Sequence, residues 1–120
     1  MPEATIDRVW NVMLVGVGGQ GVVLASDILA AAALEAGLDV KKSEIHGMSQ
    51  RGGSVFSHVR FGPTVHSPTI PYGEVDVLYS LERIEALRWA GWARLGAAVC
   101  YVDHVIHPYG VKAYDPGVDD

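Results

Sequence analysis

The chain has 120 residues, 49% hydrophobic and 19% charged, with a formal net charge of −5. That length corresponds to one domain, and the apolar content is enough to offset chain ordering, which excludes a mainly disordered protein. The basic residues are scattered, with Lys41–Lys42 the one adjacent pair, so no basic face of the nucleic-acid-binding kind is present.

In chain order, Val12–Val15 is a short β-prone apolar run, followed by Gly16-Val17-Gly18-Gly19-Gln20-Gly21. An uninterrupted apolar run of this kind predicts a strand buried on both faces. From Gln20 to Ala36 the Ala- and Leu-rich pattern predicts a helix, with Gly37 at the C-terminal capping position. Leu38–Ile45 reads as a second strand and His46–Gly53 as a polar, glycine-rich loop. Ser54–Phe61 alternates, with Val55, Val59 and Phe61 on one face and Ser54, His58 and Arg60 on the other; Phe56 and Ser57 break the pattern. Gly62-Pro63 marks a turn, and Pro68 and Pro71 predict an irregular segment. Val75–Tyr79 reads as a strand, Leu81–Leu95 as a second helix closed by Gly96, and Ala97–Val102 as a further strand. On the second helix, Ile84, Leu87, Gly91 and Leu95 form the core stripe, with Trp89 and Trp92 beside it as candidates for a subunit contact or a wider core face.

Strand–turn–helix–strand order points to an α/β class: a Rossmann-like open, mostly parallel sheet flanked by helices. Two helices are few for five or six strands, so either the sheet is small or part of one face is expected to be covered by something outside this chain, further C-terminal sequence or a partner subunit.

Gly16-x-Gly18-Gly19-x-Gly21 fits the G-x-G-x-x-G pattern in its required context, after a strand and at the start of a helix. The glycines permit a tight turn, close approach of a phosphate and tight helix–strand packing. The helix N-terminus then favours an anion. The same glycines also serve a purely packing role in many chains. No Lys-Ser/Thr follows, so the turn is not a P-loop. A dinucleotide site also needs an acid late in the second strand. Asp39 lies at the wrong end of that strand, and Glu44 is placed to meet a ribose. Ser49-Gln50-Arg51-Gly52-Gly53 is a second loop at the carboxyl edge of the sheet, where Arg51 is suited to a phosphate or carboxylate.

Cys100 is the single cysteine, so the chain forms no intrachain disulfide and no four-cysteine cluster or zinc site. Its apolar strand predicts a buried, inert thiol. The five histidines lack zinc-site spacing, and no metal or catalytic residue is assigned. Met1–Trp10 has no apolar signal core, and no run approaches the roughly 20 residues that span a bilayer. A cytoplasmic protein without membrane or nucleic-acid contacts is expected.

GVGGQG at 16–21, KKSEIHGMSQRGGSVFSHVRFG at 41–62 and VDVLYSLERIEALR at 75–88 together resemble the gamma subunit or gamma domain of 2-oxoacid:ferredoxin oxidoreductases, most closely the small (beta) subunit type of the indolepyruvate enzymes. The resemblance runs from about Val12 to about Pro108. It implies a single gamma-type domain over 1–120, shorter at its C-terminus than the family domain. It also implies an accessory role in a complex that decarboxylates a 2-oxoacid (an arylpyruvate in the indolepyruvate type), passes electrons to ferredoxin and yields an acyl-CoA. Thiamine diphosphate, magnesium and the iron–sulfur clusters are implied on a large partner subunit, and coenzyme A near this chain. On this resemblance Gly16, Gly18, Gly19, Gln20 and Gly21 carry over as the phosphate-facing turn, and Ser49, Gln50, Arg51, Gly52 and Gly53 as the second site loop. The alternatives are a stand-alone Rossmann-type nucleotide-binding module and a purely structural assembly subunit.

Overall fold

The computed structural model describes residues 6–17, 21–46 and 54–102. Their order is β1 (Trp10–Val17), α1 (Val22–Glu35), β2 (Asp39–His46), β3 (Ser54–Gly62), β4 (Val75–Ser80), α2 (Arg83–Arg88), a 3-10 turn at Ala90–Trp92, and β5 (Ala93–Tyr101). The strands form one sheet in the order β2-β3-β1-β4-β5. β1 is antiparallel to β3 and parallel to β4, β2 is antiparallel to β3, and β5 is parallel to β4. Four strands therefore share one direction and β3 opposes them. The α/β sheet flanked by helices is the one expected from the sequence, but it is mixed and not mostly parallel: the β1–β4 and β4–β5 pairings are parallel, the β1–β3 and β2–β3 pairings antiparallel. Alternation reports which faces are covered and not which way a strand runs; the sign of the reversal at β3 is the short connection between His46 and Ser54, which is too short for a parallel crossover.

β1 is central, and every residue from Asn11 to Val17 is buried. Met13 and Val15 pack on one face with Ile70, Val75 and Leu78, backed by Phe56, Trp89 and Trp92. Val12 and Leu14 pack on the other with Val22 and Val59, under Ala25, Leu29 and Ala30 of α1. β3 alternates in the same way, with Val55, Val59 and Phe61 on the α1 side and Phe56 on the opposite side. Both faces of β3 are covered, so the apparent exceptions are not exceptions. Phe56 has its own core, and buried Ser57 donates its hydroxyl to Ser43 O at 3.4 Å.

α1 ends as the sequence predicts. Gly37, at φ +86°, donates its N–H to Leu34 O at 3.0 Å, and Leu38 donates to Ala33 O at 3.1 Å. This bond pair satisfies two carbonyls that the last turn leaves open.

The face opposite α1 has no long helix. It is covered by the proline-bearing segment 63–74, whose Val65 and Ile70 are buried. Asp39 Oδ2 accepts from Val65 N at 2.7 Å, and His58 Nδ1 accepts from Ile70 N at 3.1 Å. Arg60 donates to Ser67 O and Thr69 O at 3.0 and 3.2 Å.

The second helix is shorter than its sequence pattern. α2 stops at Arg88, and Leu95 and Gly96 lie inside β5. Aromatic packing overrides the helical period: Trp89 meets Phe56 at 4.6 Å between ring centroids, and Trp92 meets His58 at 5.7 Å and Tyr72 at 5.1 Å. A Cβ on Gly91 would stand 2.7 Å from the Tyr72 hydroxyl, so a side chain there would push the Tyr72 ring aside. Trp89 and Trp92 are thus parts of the core cluster. Leu87 and Leu95, expected on the core stripe, are 71% and 97% exposed, and the buried side of α2 is Glu85 and Ala86. Cys100 is exposed, because β5 is the edge of the sheet. Among the described residues no helix is long and apolar enough to cross a membrane.

The end of the sheet away from the glycine turn is tied by buried Asp76. It accepts from Asn11 N at 2.8 Å, Arg94 Nε at 2.5 Å and Arg8 Nη1 at 3.2 Å. Burial pushes its pKa up, but these donors outweigh burial and hold it below the ordinary carboxylate value.

Burial, reinforced by the charge of Arg60, lowers the His58 pKa below 6.5. The folded chain therefore favours neutral His58, and its full stability is present above that value. Stability is lost as the pH falls from there towards the lower folded pKa. Urea unfolding followed from about pH 7.5 to about pH 5 is expected to show this decline, and His58→Asn, which keeps an acceptor near Nδ1, is expected to flatten part of it.

Candidate functional site

Because β1, β2, β4 and β5 run in one direction, their carboxyl ends open on one edge of the sheet. β3 begins on that edge. Val17, from which the glycine turn departs, is the register partner of Ser54, into which the 47–53 loop returns. His46, from which that loop departs, is the partner of Val55. The two segments singled out in the sequence are therefore attached to neighbouring strands, about 4.8 Å apart. Gly16 and Gly21 lie within the described residues; Gly18, Gly19, Gln20, Ser49, Gln50, Arg51, Gly52 and Gly53 lie outside them.

α1 packs over β1, β2 and β3, whereas α2 packs against β1, β4 and β5. The chain thus departs to opposite sides of the line between β1 and β4. That line is a topological switch point, and its carboxyl end is where open α/β sheets form a crevice.

Gly21 makes the corner between β1 and α1. It is the N-cap of α1 at φ 88°, ψ 20°, and no side chain caps the helix. The first turn has no acidic residue, so no carboxylate competes there for the N–H groups or the positive end of the dipole. A Cβ at Gly21 would meet nothing within 4 Å, so this glycine answers a backbone requirement and not a steric one.

On the β4 side, Leu81 N donates to Val15 O at 2.9 Å and prolongs the β1–β4 ladder to the edge. Next come two carboxylates that sequence reasoning missed. Glu82 and Glu85 are each 1% exposed. Glu82 Oε1 accepts from Glu85 N at 2.7 Å and caps α2. Glu85 accepts from Trp89 Nε1 at 3.1 Å and pairs with Arg88 at 3.0 Å. The legible signal was an acid three residues before another, directly after an apolar strand, which is a helix-start pattern.

Glu44 does not take the position of a ribose ligand. β3 lies between β1 and β2, which puts Glu44 about 10 Å across the sheet from the glycine turn's strand instead of one strand away. Its Oε2 accepts from Ser26 Oγ at 3.2 Å and Lys42 Nζ at 2.6 Å. Lys42 also pairs with Asp27. Burial lowers the Lys42 pKa, but the bonds to Asp27 and Glu44 outweigh it and raise the value overall. The cluster fixes α1 to β2 and uses the acid that a dinucleotide would need.

A model of the family described as pyruvate ferredoxin/flavodoxin oxidoreductase matches residues 11–117. The chain is 47% identical over 90 residues to indolepyruvate oxidoreductase subunit IorB of Pyrococcus horikoshii, a match covering 75% of this chain and 45% of that protein. The chain thus spans about half the length of the curated relatives it matches. Its fold is similar to the gamma subunit of a keto/oxoacid ferredoxin oxidoreductase from Geobacter sulfurreducens, with a TM-score of 0.63, 23% identity, and coverage of 78% of this chain and 50% of that one. It is also similar to 2-oxoglutarate:ferredoxin oxidoreductase from Magnetococcus marinus, with a TM-score of 0.71, 20% identity, and coverage of 88% and 18%.

Gly21→Ala is expected to lower stability by about 1–2 kcal/mol, the cost of a left-handed backbone for a residue with a Cβ. Urea denaturation measures it. An unchanged midpoint would mean that the corner relaxes to negative φ.

Proposed function

The chain belongs to the pyruvate ferredoxin/flavodoxin oxidoreductase family, and we propose that it acts as the small, gamma-type subunit of a 2-oxoacid:ferredoxin oxidoreductase that presents a phosphate-binding edge for coenzyme A. The observation that carries this reading is that the strand ends from which the glycine turn and the 47–53 loop depart, Val17, His46 and Ser54, are register neighbours at one sheet edge beside the β1/β4 switch point. In this reading the backbone N–H groups of Gly18–Gly21 and the start of α1 meet phosphate oxygens. Arg51 adds a guanidinium to the same edge, and Ser49, Gln50, Gly52 and Gly53 shape the loop around it.

The fit to coenzyme A rests on the uncapped, acid-free start of α1 and on the open space beside Gly21. One cysteine does not ligate an iron–sulfur cluster of the four-cysteine kind. The resemblance to 2-oxoacid:ferredoxin oxidoreductases implies that clusters, thiamine diphosphate and magnesium sit on a large partner subunit, which supplies the decarboxylation and the electron path to ferredoxin; the single cysteine agrees with this for the clusters. An arylpyruvate such as indolepyruvate is the substrate class favoured by the 47% identity to an indolepyruvate oxidoreductase subunit. The stand-alone dinucleotide module is disfavoured by the interposed β3 and by the engagement of Glu44.

Gly18→Val is expected to abolish coenzyme A binding by the chain assembled with its large subunit while leaving the urea transition near wild type, because a side chain there occupies the phosphate's approach. Calorimetric titration of both forms tests it. Equal binding would leave a purely structural subunit as the better reading.

Arg51→Ala is expected to lower turnover of the assembled complex by about 10- to 100-fold without impairing assembly, matching the roughly 1.5–3 kcal/mol of a charge-assisted contact. Dye or ferredoxin reduction with a 2-oxoacid and coenzyme A, together with gel filtration, gives both readouts. Unchanged kinetics would remove Arg51 from the site, and failed assembly would make it structural.

A further inference from the structure

Segment 63–74 covers one face of the sheet without joining it. Among the described residues, no backbone–backbone bond ties it to a strand; its one bond of that kind is internal, from Glu74 N to Pro71 O at 3.1 Å. Pro63, Pro68 and Pro71 have no N–H to give. Asn11 holds the end of the segment by donating to Glu74 O at 2.9 Å. Its middle is hydrogen-bonded to the sheet by three side chains. Asp39 accepts from Val65 N, His58 accepts from Ile70 N, and Arg60 donates to Ser67 O and Thr69 O.

These ties respond differently to acid. Arg60 stays charged at any ordinary pH. The Val65 N–H holds the Asp39 carboxyl below its usual value, so that tie lasts well into acid. The tie at His58 depends on one ring atom. Nδ1 accepts an N–H, so it carries no proton, and the neutral ring has its proton on Nε2. Nε2 is buried and meets no hydrogen-bonding partner; the ring lies 5.7 Å from that of Trp92. A second proton goes to Nδ1, the atom that holds Ile70. Two N–H groups then face each other, and a charge appears on a residue that is 4% exposed.

The neighbouring elements offer that charge no carboxylate. β3 carries Arg60 on the same face, and on β2 Lys41 is the register partner of Arg60. Asp39 is engaged by Val65 and Lys41, and Glu85 of α2 by Trp89 and Arg88. Tyr72, His66 and Glu74 of the segment are exposed. β1 and the 3-10 turn bring Met13 and Trp92, which do not titrate.

We propose that His58 is the latch of segment 63–74: a proton taken up at Nδ1 releases Ile70 and lifts the segment from the sheet, uncovering the aromatic face of Phe56, Trp89 and Trp92 while the strands stay paired. The β1–β3 and β1–β4 ladders contain no residue of the segment, so they survive its release. A segment without ladder bonds opens at lower cost than the whole domain. The opening is local, and it involves neither coenzyme A nor a partner subunit.

The test follows amide hydrogen exchange of the full 120-residue chain from about pH 7.5 to about pH 5, with each rate taken relative to an unstructured peptide at the same pH. Burial, then the charge of Arg60, keeps the His58 pKa below 6.5 while the segment is closed. In the open form the ring returns to about 6.5. Protection of the Ile70 amide is therefore expected to fall by up to about tenfold for each pH unit below that value, and to level off where His58 of the closed form titrates. The Leu14 and Val59 amides are expected to keep their protection. His58→Asn, which retains an acceptor but does not titrate, is expected to remove the slope at Ile70. Ring nitrogen shifts of the unaltered chain give the tautomer and the pH at which Nδ1 is filled, so the test stands even if the variant does not fold. Four results would overturn the proposal. They are Ile70 protection that ignores pH, loss of protection at Ile70, Leu14 and Val59 in step, a slope that persists in His58→Asn, and a neutral ring with its proton on Nδ1.

Discussion

The whole arrangement depends on β1 being buried on both faces while holding a partner on both edges. Seven consecutive buried residues, Asn11–Val17, leave no side of this strand for solvent. α1 supplies one cover. The other is assembled from segment 63–74, Phe56, Trp89 and Trp92. If either cover fails, Met13 and Val15 or Val12 and Leu14 return to water, at roughly 1.5–3 kcal/mol for each large side chain. Double burial also fixes the position of the glycine turn. A strand held by β3 on one edge and β4 on the other delivers its last residue to the switch point and nowhere else.

The two ends of the sheet are specialised in opposite ways. At one end Asp76 gathers Arg8, Asn11 and Arg94, tying the first described residues, β1 and β5 together through a buried carboxylate. Removing water from such a group costs several kcal/mol unless charged donors replace it, and here they do. At the other end the backbone turns on glycine, and α1 starts without a cap. Rigid support and open backbone donors are thus separated by the length of one strand. Glu82 and Glu85 join the two kinds of environment. They are buried as part of the second cover, and they also stand at the carboxyl end of β4, beside the line where a ligand crevice forms.

The second cover also explains how aromatic residues shape a fold beyond adding apolar area. Trp89 donates its Nε1–H to Glu85 and stacks on Phe56; Trp92 packs on His58 and Tyr72. These contacts end α2 after six residues and turn the chain into β5. A longer helix would have carried Arg94 away from Asp76 and removed the strand that now forms the open edge.

The central strand and the glycine corners were legible in the sequence. The Val12–Val15 run announced a doubly covered strand because an interior strand tolerates no polar face. Gly37 announced the end of α1, and the G-x-G-x-x-G spacing announced a corner between strand and helix; Gly21 and Gly37 take the left-handed backbone that only glycine adopts without strain. Strand order and exposure were decided by the tertiary structure. Alternation in residues 54–61 is the same for either strand direction, and the reversal of β3 was legible only in its short connection to β2; the insertion of β3 between β1 and β2, which separates Glu44 from β1, had no local signal. The helical stripe through Leu87 and Leu95 was real as a pattern but lost to ring packing around Trp89 and Trp92. Cys100 sits in an apolar strand that reads as interior, and only the position of β5 at the edge of the sheet leaves its thiol open. A residue's burial depends on what covers its strand, and that cover comes from residues distant in the chain.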